Sequence, residues 1–199
     1  MMLIGIAGGS GSGKTTISNE LCKRLGACVQ ISHDDYYKPL GHLTEQDRAE
    51  VNFDHPDALD TLLLVQHLQT LKNGLPITVP EYCFKTHNRK PSQRHVATRQ
   101  FDFVVVDGVL LFHDQDLVNL FDMRIFVDAS EEVCFERRKK RDQQERGRSL
   151  ASIASQWEET VKPMFDQFVA PSIKHADHII NSECQRTSEA QIERIVQLL

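Results

Sequence analysis

Short, continuous apolar runs recur along the chain and predict buried strands. The clearest run covers residues 101–108, where three valines and two phenylalanines stand close together. Such a run is typical of a strand that is covered on both faces, as in a parallel sheet. Shorter runs of the same kind predict four more strands, at residues 3–7, 27–32, 123–128 and 175–181.

Between these strands, apolar residues recur every three or four positions, which is typical of helices that pack against a sheet. This spacing predicts helices at residues 16–25, 59–71, from about 131 onward, 149–168 and 187–199. Asp57 is the predicted N-cap of the second helix, and Pro163 predicts a break or kink in the fourth. Strands that alternate with helices favour an α/β fold around a mostly parallel, five-stranded sheet.

The stretch after residue 72 follows neither period. Asn73-Gly74 ends a helix, and the prolines at 76 and 80 restrict residues 76–80 to a short edge strand. Residues 81–89 are aromatic and polar. They suit a rim that stacks on or hydrogen-bonds a ring, but tyrosine and histidine in a loop are usually only surface residues.

Composition narrows the classes of function. The chain has 199 residues, enough for one domain or one domain with an insertion. A net charge of −5 argues against nucleic acid or a membrane surface as a partner, and no apolar run reaches the roughly 18 residues of a transmembrane helix. The five cysteines, at 22, 28, 83, 134 and 184, form no C-x-x-C pair, so we predict reduced thiols in a cytoplasmic protein and no zinc site.

A glycine-rich segment follows the first predicted strand and opens the first predicted helix. It fits the phosphate-binding pattern G-x-x-x-x-G-K-[ST], and its residues are Gly8, Gly9, Ser10, Gly11, Ser12, Gly13, Lys14 and Thr15, followed by Thr16. Backbone N–H groups of such a loop and of the helix N-terminus cradle phosphates, while Lys14 reaches the β and γ phosphates and Thr15 offers a hydroxyl to Mg²⁺. The alternative is a glycine-rich turn that binds nothing, which the flanking strand and helix disfavour.

Carboxylates stand at the predicted carboxyl ends of strands, where ligands bind in open α/β sheets. Asp34 and Asp35 follow the second strand; one could accept a proton from an attacking hydroxyl and the other support Mg²⁺ through water. Asp107 resembles the acid of a Walker B strand, which binds Mg²⁺ directly or through water, and this role is favoured over the alternative of a cap for the next turn. Asp54 precedes a helix and either hydrogen-bonds a sugar hydroxyl or forms a turn; spacing alone leaves both open.

A basic run at residues 137–148 lies in and after the helix predicted from about residue 131, and it has three interpretations. Arg138 and Arg141 share a helix face, while Arg146 and Arg148 flank a glycine. Such a run can be a nucleic-acid or targeting patch, and is more often a solvated face. Beside a phosphate-binding loop it also suits a lid that closes over a transferring phosphoryl group, because guanidinium groups match phosphate oxygens.

Taken in order, the chain resembles the uridine kinase (uridine–cytidine kinase) family. The matching stretches are GGSGSGKTT, HDDYYK, NFDHPDALD, PEYCFKTHNR, VVVDGVLLF, RIFVDA, RRKKRDQQERGR and VKPMFDQFVAPSIKHAD. The resemblance implies a P-loop NTPase-type three-layer sandwich at residues 1–199, with a nucleoside-binding insertion at about 38–100 and an arginine-rich lid at about 138–149. It also implies phosphorylation of the 5′-hydroxyl of uridine and cytidine by Mg²⁺ and ATP or GTP, in a homo-oligomer that is commonly a tetramer.

The resemblance assigns roles to individual positions. The implied catalytic residues are Asp34 as general base, Lys14, Arg138 and Arg141. The implied ATP-binding set is the loop from Gly8 to Thr16 with Arg141 and Arg146, and the implied metal set is Thr15, Asp107 and Asp34. The implied nucleoside-binding residues are Asp34, Tyr37, Asp54 on the ribose, Tyr82 and His87 at the pyrimidine edge, Arg138, Arg148 and Gln156.

Two positions depart from the family pattern. Asp107 stands where the family usually has glutamate, and Cys83 where it often has aspartate. A water-bridged Mg²⁺ would tolerate the shorter acid. Other P-loop kinases of small alcohols (phosphoribulose, pantothenate or nicotinamide riboside) stay as alternatives, as does a nucleotide-binding regulator without catalysis. Tyr82 and His87 favour a ring-bearing substrate over a sugar phosphate, which would need basic anchors.

Overall fold

The computed structural model describes residues 1–97 and 101–199, and its centre is a five-stranded parallel sheet. The five strands are β1 (Met2–Gly8), β2 (Cys28–Ser32), β5 (Phe103–Gly108), β6 (Met123–Asp128) and β7 (His178–Asn181). They lie in the order β2-β5-β1-β6-β7, and every neighbouring pair is parallel. The five strands predicted from the apolar runs are therefore confirmed.

Helices cover both faces of this sheet. The longer ones are α1 (Lys14–Leu25), α3 (Thr61–Lys72), α5 (Glu131–Arg146) and α8 (Gln185–Val196), and the shorter ones are α2 (Glu45–Ala49), α4 (Gln115–Leu120), α6 (Leu150–Gln156) and α7 (Lys162–Met164). On one face, Ile4 and Ile6 of β1 pack with Ile17 of α1 and Ile192 of α8. On the other, Leu3 of the same strand packs with residues of α3 and α4. The alternation along β1 thus produces the expected three layers.

A second, antiparallel pair of strands stands apart from this sheet. It consists of β3 (Ile77–Cys83) and β4 (Asn88–Val96). The predicted edge strand at 76–80 is part of β3, and the aromatic and polar stretch at 81–89, for which no regular element was predicted, belongs to the same pair of strands. Those residues finish β3, turn, and begin β4, with a register irregularity between Pro80 and Tyr82. The pair has exposed polar residues along β4, which is why no apolar period indicated a strand.

Two helix predictions need correction. Asp60, not Asp57, caps α3: its Oδ1 accepts a hydrogen bond from the backbone N–H of Leu63, 3.3 Å away. Asp57 lies in a 3₁₀ turn (Pro56–Ala58), after which Leu59 is extended and bridges to Tyr37, so the helix starts later. Of the predicted break or kink at Pro163, the break is wrong: the helical segment after residue 149 continues through the proline, which lies between π-helical segments at Trp157–Val161 and Phe165–Val169.

The prediction of five reduced cysteines is wrong for one pair. Cys22 in α1 and Cys28 at the start of β2 form a disulfide, with Cα atoms 5.3 Å apart. They approach each other because α1 ends at Gly26, whose positive φ of 78° reverses the chain into β2. Cys83, Cys134 and Cys184 are free.

No helix in the described parts of the chain, 1–97 and 101–199, is both long and apolar enough to cross a membrane. The last three residues of the predicted insertion, 98–100, lie outside the described residues.

Burial of the His33 side chain makes the free energy of unfolding depend on pH. His33 is 1% exposed, and burial lowers the pKa of its imidazole from 6.5 to about 4. Between these values the unfolded chain binds a proton that the folded chain does not, so stability falls as the pH drops from about 6.5 towards 4. The full shift corresponds to about 3 kcal/mol.

We therefore expect H33Q to reduce the acid dependence of the free energy of unfolding, measured by urea denaturation at pH 7 and pH 5. H42Q, at an exposed histidine, is the matched control and should leave the acid dependence unchanged. Equal losses of stability on acidification in H33Q and in the unmodified protein would contradict this account.

Candidate active site

The glycine-rich loop between β1 and α1 is shaped to receive an anion. Gly8 and Gly11 have positive φ values of 149° and 83°. A Cβ at Gly11 would lie 2.2 Å from the carbonyl oxygen of Cys134, and one at Gly8 would lie 2.3 Å from that of Val127. The loop can therefore follow this path only with glycine there. It leads directly into the N-terminus of α1, whose unpaired N–H groups favour phosphate.

Lys14 begins α1 and folds back over the loop. Its ammonium donates a hydrogen bond to the carbonyl oxygen of Gly9 at 2.9 Å. Burial lowers the pKa of Lys14, and the nearby carboxylates of Asp34 and Asp107 partly oppose this shift. A buried ammonium with one backbone acceptor is a group that a polyphosphate would stabilise.

Asp107 is the last residue but one of β5, the strand between β1 and β2, and lies next to the start of α1. Its carboxylate accepts hydrogen bonds from the Thr15 hydroxyl at 3.0 Å and from the Gln30 amide at 3.2 Å. Burial raises the pKa of Asp107. A hydroxyl and a carboxylate at this distance are the hard oxygen donors that suit Mg²⁺, directly or through water. Among the described residues no cluster of three or more acidic, histidine or cysteine side chains forms a metal site.

Asp34 lies in a 3₁₀ turn (His33–Tyr36) at the carboxyl end of β2, on the same edge of the sheet. The Ser32 hydroxyl caps this turn by accepting a hydrogen bond from the Asp34 backbone N–H at 3.3 Å. Within residues 1–97 and 101–199, no group donates a hydrogen bond to the Asp34 carboxylate. The turn thus places a half-exposed carboxylate in the pocket, close enough to Lys14 to affect its pKa.

Aromatic rings form the opposite wall of the pocket. The Tyr37 and Tyr82 rings have centroids 4.9 Å apart, and Tyr82 packs edge-on against Phe84 at 5.3 Å. Phe53 stacks on His87 at 4.9 Å with an interplanar angle of 18°. The phenolic oxygen of Tyr82 is buried without a hydrogen-bond partner in the described structure. Such a wall suits a planar ring with polar edges.

The β3–β4 hairpin carries this wall and is fastened to the end of β2. The Arg89 guanidinium donates to the backbone oxygens of Tyr37 and Tyr36 at 2.7 and 3.2 Å and pairs with Asp60 at 3.2 Å. The Asp35 carboxylate accepts a hydrogen bond from the Tyr82 backbone N–H at 3.3 Å. Asp35 therefore positions the hairpin, while its neighbour Asp34 faces the pocket.

Asp54 lies between the aromatic wall and the helical segment after residue 150. Its Oδ2 accepts a hydrogen bond from the Thr160 hydroxyl at 3.2 Å. Burial raises the pKa of Asp54, and the positive charge of Arg138 partly opposes this shift. A partly buried carboxylate with one neutral donor retains acceptor capacity for sugar hydroxyls.

The predicted basic run brings Arg138, Arg141, Arg146 and Arg148 to the pocket. Arg138 is 5% exposed, and it donates to the Ser10 hydroxyl and to the Gln156 side-chain oxygen, both at 2.7 Å. Arg148 also donates to that Gln156 oxygen. The Arg146 guanidinium lies over the Phe84 ring, 4.0 Å from its centroid. These contacts join the loop, the end of α5 and α6 around one cavity.

The structure brings most of the sequence-predicted site residues to this one pocket. They are Ser10, Lys14, Thr15, Asp34, Tyr37, Asp54, Tyr82, His87, Asp107, Arg138, Arg141, Arg146, Arg148 and Gln156. Gly8, Gly9, Gly11, Ser12 and Gly13 form the loop beneath it, and Thr16 faces a separate groove beside Arg137 and Ser182. The pocket's location at the carboxyl ends of parallel strands agrees with the general rule for open α/β sheets.

Comparison with known proteins gives the family. The sequence model of one family, described as "Phosphoribulokinase / Uridine kinase family", matches residues 3–189. A uridine kinase of Brevibacillus brevis is 45% identical over 181 residues, covering 90% of this chain and 84% of that protein. A uridine kinase of Clostridium novyi is 42% identical over 202 residues, covering 100% of this chain and 96% of that protein.

The chain belongs to the phosphoribulokinase / uridine kinase family. The resemblance inferred from the motifs is therefore confirmed. The fold agrees as well: the structure of phosphoribulokinase from Rhodobacter spheroides superposes with a TM-score of 0.65 at 14% identity, covering 90% of this chain and 69% of that one. The predicted P-loop α/β sandwich is thus the fold of this family member.

Several residues that line this pocket, or support its carboxylates, were not predicted from the sequence. Phe53, Phe84, Lys85 and Ser152 line it, and Gln30 and Thr160 support its carboxylates. Phe53 and Phe84 lie within two quoted motifs, and their aromatic character was the available signal. Gln30 and Thr160 carried no signal, because only the fold brings them next to Asp107 and Asp54.

Proposed function

We propose that the protein transfers the γ-phosphoryl group of ATP to the 5′-hydroxyl of uridine or cytidine. The observation that carries this proposal is the single pocket that joins a phosphate-binding loop, a free carboxylate and a wall of aromatic rings. The names of the relatives, uridine kinases at 42–45% identity over most of the chain, support the same substrate class.

The donor side of the reaction is assigned to the loop and its neighbours. Backbone N–H groups from Gly8 to Thr16 hold the phosphates, and Lys14 moves from the Gly9 carbonyl to the β and γ phosphates. Mg²⁺, when bound, would be held by Thr15 and Asp107 with Asp34 nearby, and it would neutralise charge on the phosphate oxygens.

The acceptor side is assigned to Asp34 and the hairpin. Asp34 accepts the proton of the 5′-hydroxyl as that oxygen attacks phosphorus. Asp54 accepts hydrogen bonds from the ribose, while Tyr37, Tyr82 and His87 contact the base, with Gln156 reaching the nucleoside from α6. The insertion at about 38–100 is then the nucleoside-binding part of a single kinase domain.

The arginines are assigned to the transition state. Arg138 and Arg141 stabilise charge on the equatorial oxygens of the transferring group, and Arg146 and Arg148 complete a lid at about 138–149. By excluding water the lid prevents hydrolysis of the donor. A cytoplasmic location, a homotetramer and the absence of nucleic-acid binding stay predictions.

The proposal is tested by measuring ADP release with Mg·ATP alone and with each candidate acceptor. Uridine or cytidine should stimulate release many-fold, and comparison of the two sets the preference. Stimulation only by ribulose 5-phosphate, pantothenate or nicotinamide riboside would keep the kinase chemistry and remove the base-contacting roles of Tyr82 and His87. ATP binding without stimulation by any acceptor would contradict the proposal and favour a regulatory protein.

Replacement of Asp54 tests the ribose contact. D54N should raise the KM for uridine about 10- to 100-fold with a much smaller effect on kcat, because a hydrogen bond to a charged group contributes about 1.5–3 kcal/mol. Since burial raises the pKa of Asp54, the KM of the unmodified protein should rise as the pH falls through that pKa, while D54N stays flat.

Deoxyribose analogues provide the matched control for D54N. With 2′-deoxyuridine or 3′-deoxyuridine, whichever lacks the hydroxyl that Asp54 binds, the difference between D54N and the unmodified protein should disappear. A penalty that is the same for uridine and for both analogues would remove Asp54 from the ribose site.

A further inference from the structure

The Asp142 carboxylate of α5 has no exposed surface and lies among four guanidinium groups. Its Oδ1 accepts a hydrogen bond from Arg141 Nε at 2.9 Å, forms an ion pair with Arg141 Nη2 at 2.8 Å and lies 3.5 Å from Arg146 Nε. Its Oδ2 lies 3.5 Å from Arg138 Nε and 3.9 Å from Arg148 Nη1. One buried acid thus contacts all four arginines of the proposed lid.

These arginines would repel one another without a central negative charge. Burial, followed by the positive charge of Arg141, lowers the pKa of Arg146, and burial followed by Arg138 lowers that of Arg148. In both cases Asp142 opposes the shift. Asp142 also holds the backbone: its carbonyl oxygen accepts the N–H groups of Gly147 and of Arg148, the latter at 3.1 Å.

The four arginines depend on Asp142 to different degrees. Arg138 has two other acceptors, Ser10 and Gln156, and Arg148 has Ser152 and Gln156. For Arg141, Asp142 is the one hydrogen-bond acceptor within the described ranges. Arg141 nevertheless lines the pocket near Lys14, whose pKa it lowers. Its position there is therefore set by Asp142.

We propose that Asp142 is a positioning residue that holds Arg141 in place for phosphoryl transfer before the substrates bind. This rests on the proposed kinase activity and adds a residue that does not itself touch the substrates. A preorganised guanidinium stabilises the transferring group without reorganisation at the moment of reaction, and a displacement of about 1 Å can cost about 100-fold in rate.

A double-mutant cycle between D142N and R141Q tests this coupling. Each single variant should lower kcat about 100-fold, while the dissociation constant for uridine stays within about threefold, because neither residue belongs to the aromatic wall. The double variant should be no slower than R141Q alone, within about threefold, because Asp142 has no remaining Arg141 to position.

Glu136 gives the matched control on the same helix, outside the proposed lid. Its exposed side chain pairs with Lys139, so E136Q, the same acid-to-amide change, should alter kcat little and should combine additively with D142N. If D142N does not fold, D142E takes its place in the cycle: the longer side chain keeps the negative charge but displaces Arg141, so it should lower kcat in the unmodified protein and not in R141Q.

Two results would overturn the inference in a protein that phosphorylates uridine. One is a double variant that is slower than R141Q by the full factor seen for D142N, and the other is a loss of uridine affinity that matches the loss of kcat. An unmodified protein without uridine-stimulated turnover would instead refute the proposed function, and the inference would fall with it.

Discussion

D34N should lower kcat for uridine phosphorylation by about 10²–10⁴-fold, the usual contribution of a general base. Asparagine has the same shape as aspartate but cannot accept the proton of the 5′-hydroxyl. The Asp34 carboxylate is well suited to that role because the capped turn after β2 fixes its backbone, while the described residues donate no hydrogen bond to its oxygens.

The control for this prediction is D57N, the same chemical change at a side chain that is 91% exposed. It should leave kcat within about twofold, as surface substitutions usually do. Steady-state kinetics with saturating uridine and ATP measures both variants. If D34N kept near-normal turnover, Asp34 would not be the base.

K14M should lower kcat by about 10²–10³-fold, the cost of losing one preorganised group that stabilises the transition state. The thermal stability of the ligand-free protein, in contrast, should not decrease. Burial lowers the pKa of Lys14 more than the nearby acids raise it, so the ligand-free fold carries a poorly solvated charge. Methionine fills the same space without that charge, and the Tm of the ligand-free protein should not fall.

K23M, at an exposed lysine of the same helix, is the control for K14M and should change neither kcat nor Tm appreciably. Kinetics and thermal unfolding followed by circular dichroism check the two variants together. A marked drop in the Tm of K14M would show that Lys14 supports the fold, and unchanged kcat would remove it from the mechanism.

The sheet could be predicted because its signal is local. Val104, Val105 and Val106 are fully buried, as the continuous apolar run indicated, and the carboxyl ends of β1, β2 and β5 bring the loop, Asp34 and Asp107 to one edge. Chain order and parallel pairing were therefore enough to place these groups near one another.

The missed features depend on tertiary contacts. The β3–β4 hairpin is polar along β4 and interrupted by Pro80, so its pairing leaves no period in the sequence. The N-cap of α3 is Asp60 and not the predicted Asp57, because Leu59 is extended and bridges to Tyr37 before the helix starts. The Cys22–Cys28 disulfide required the reversal at Gly26. The sequence does not single out Asp142 from its charged neighbours, because only the folded helix shows that its side chain is buried.

The central claim is the transfer of a phosphoryl group to the 5′-hydroxyl of a pyrimidine nucleoside. The most direct measurement is phosphorus NMR of the product formed from Mg·ATP and uridine, with 5′-deoxyuridine as the acceptor that lacks the reacting hydroxyl. We expect uridine 5′-monophosphate in equal amount to ADP, and no nucleotide product from 5′-deoxyuridine. Inorganic phosphate as the sole product, or a phosphorylated product from 5′-deoxyuridine, would contradict the account.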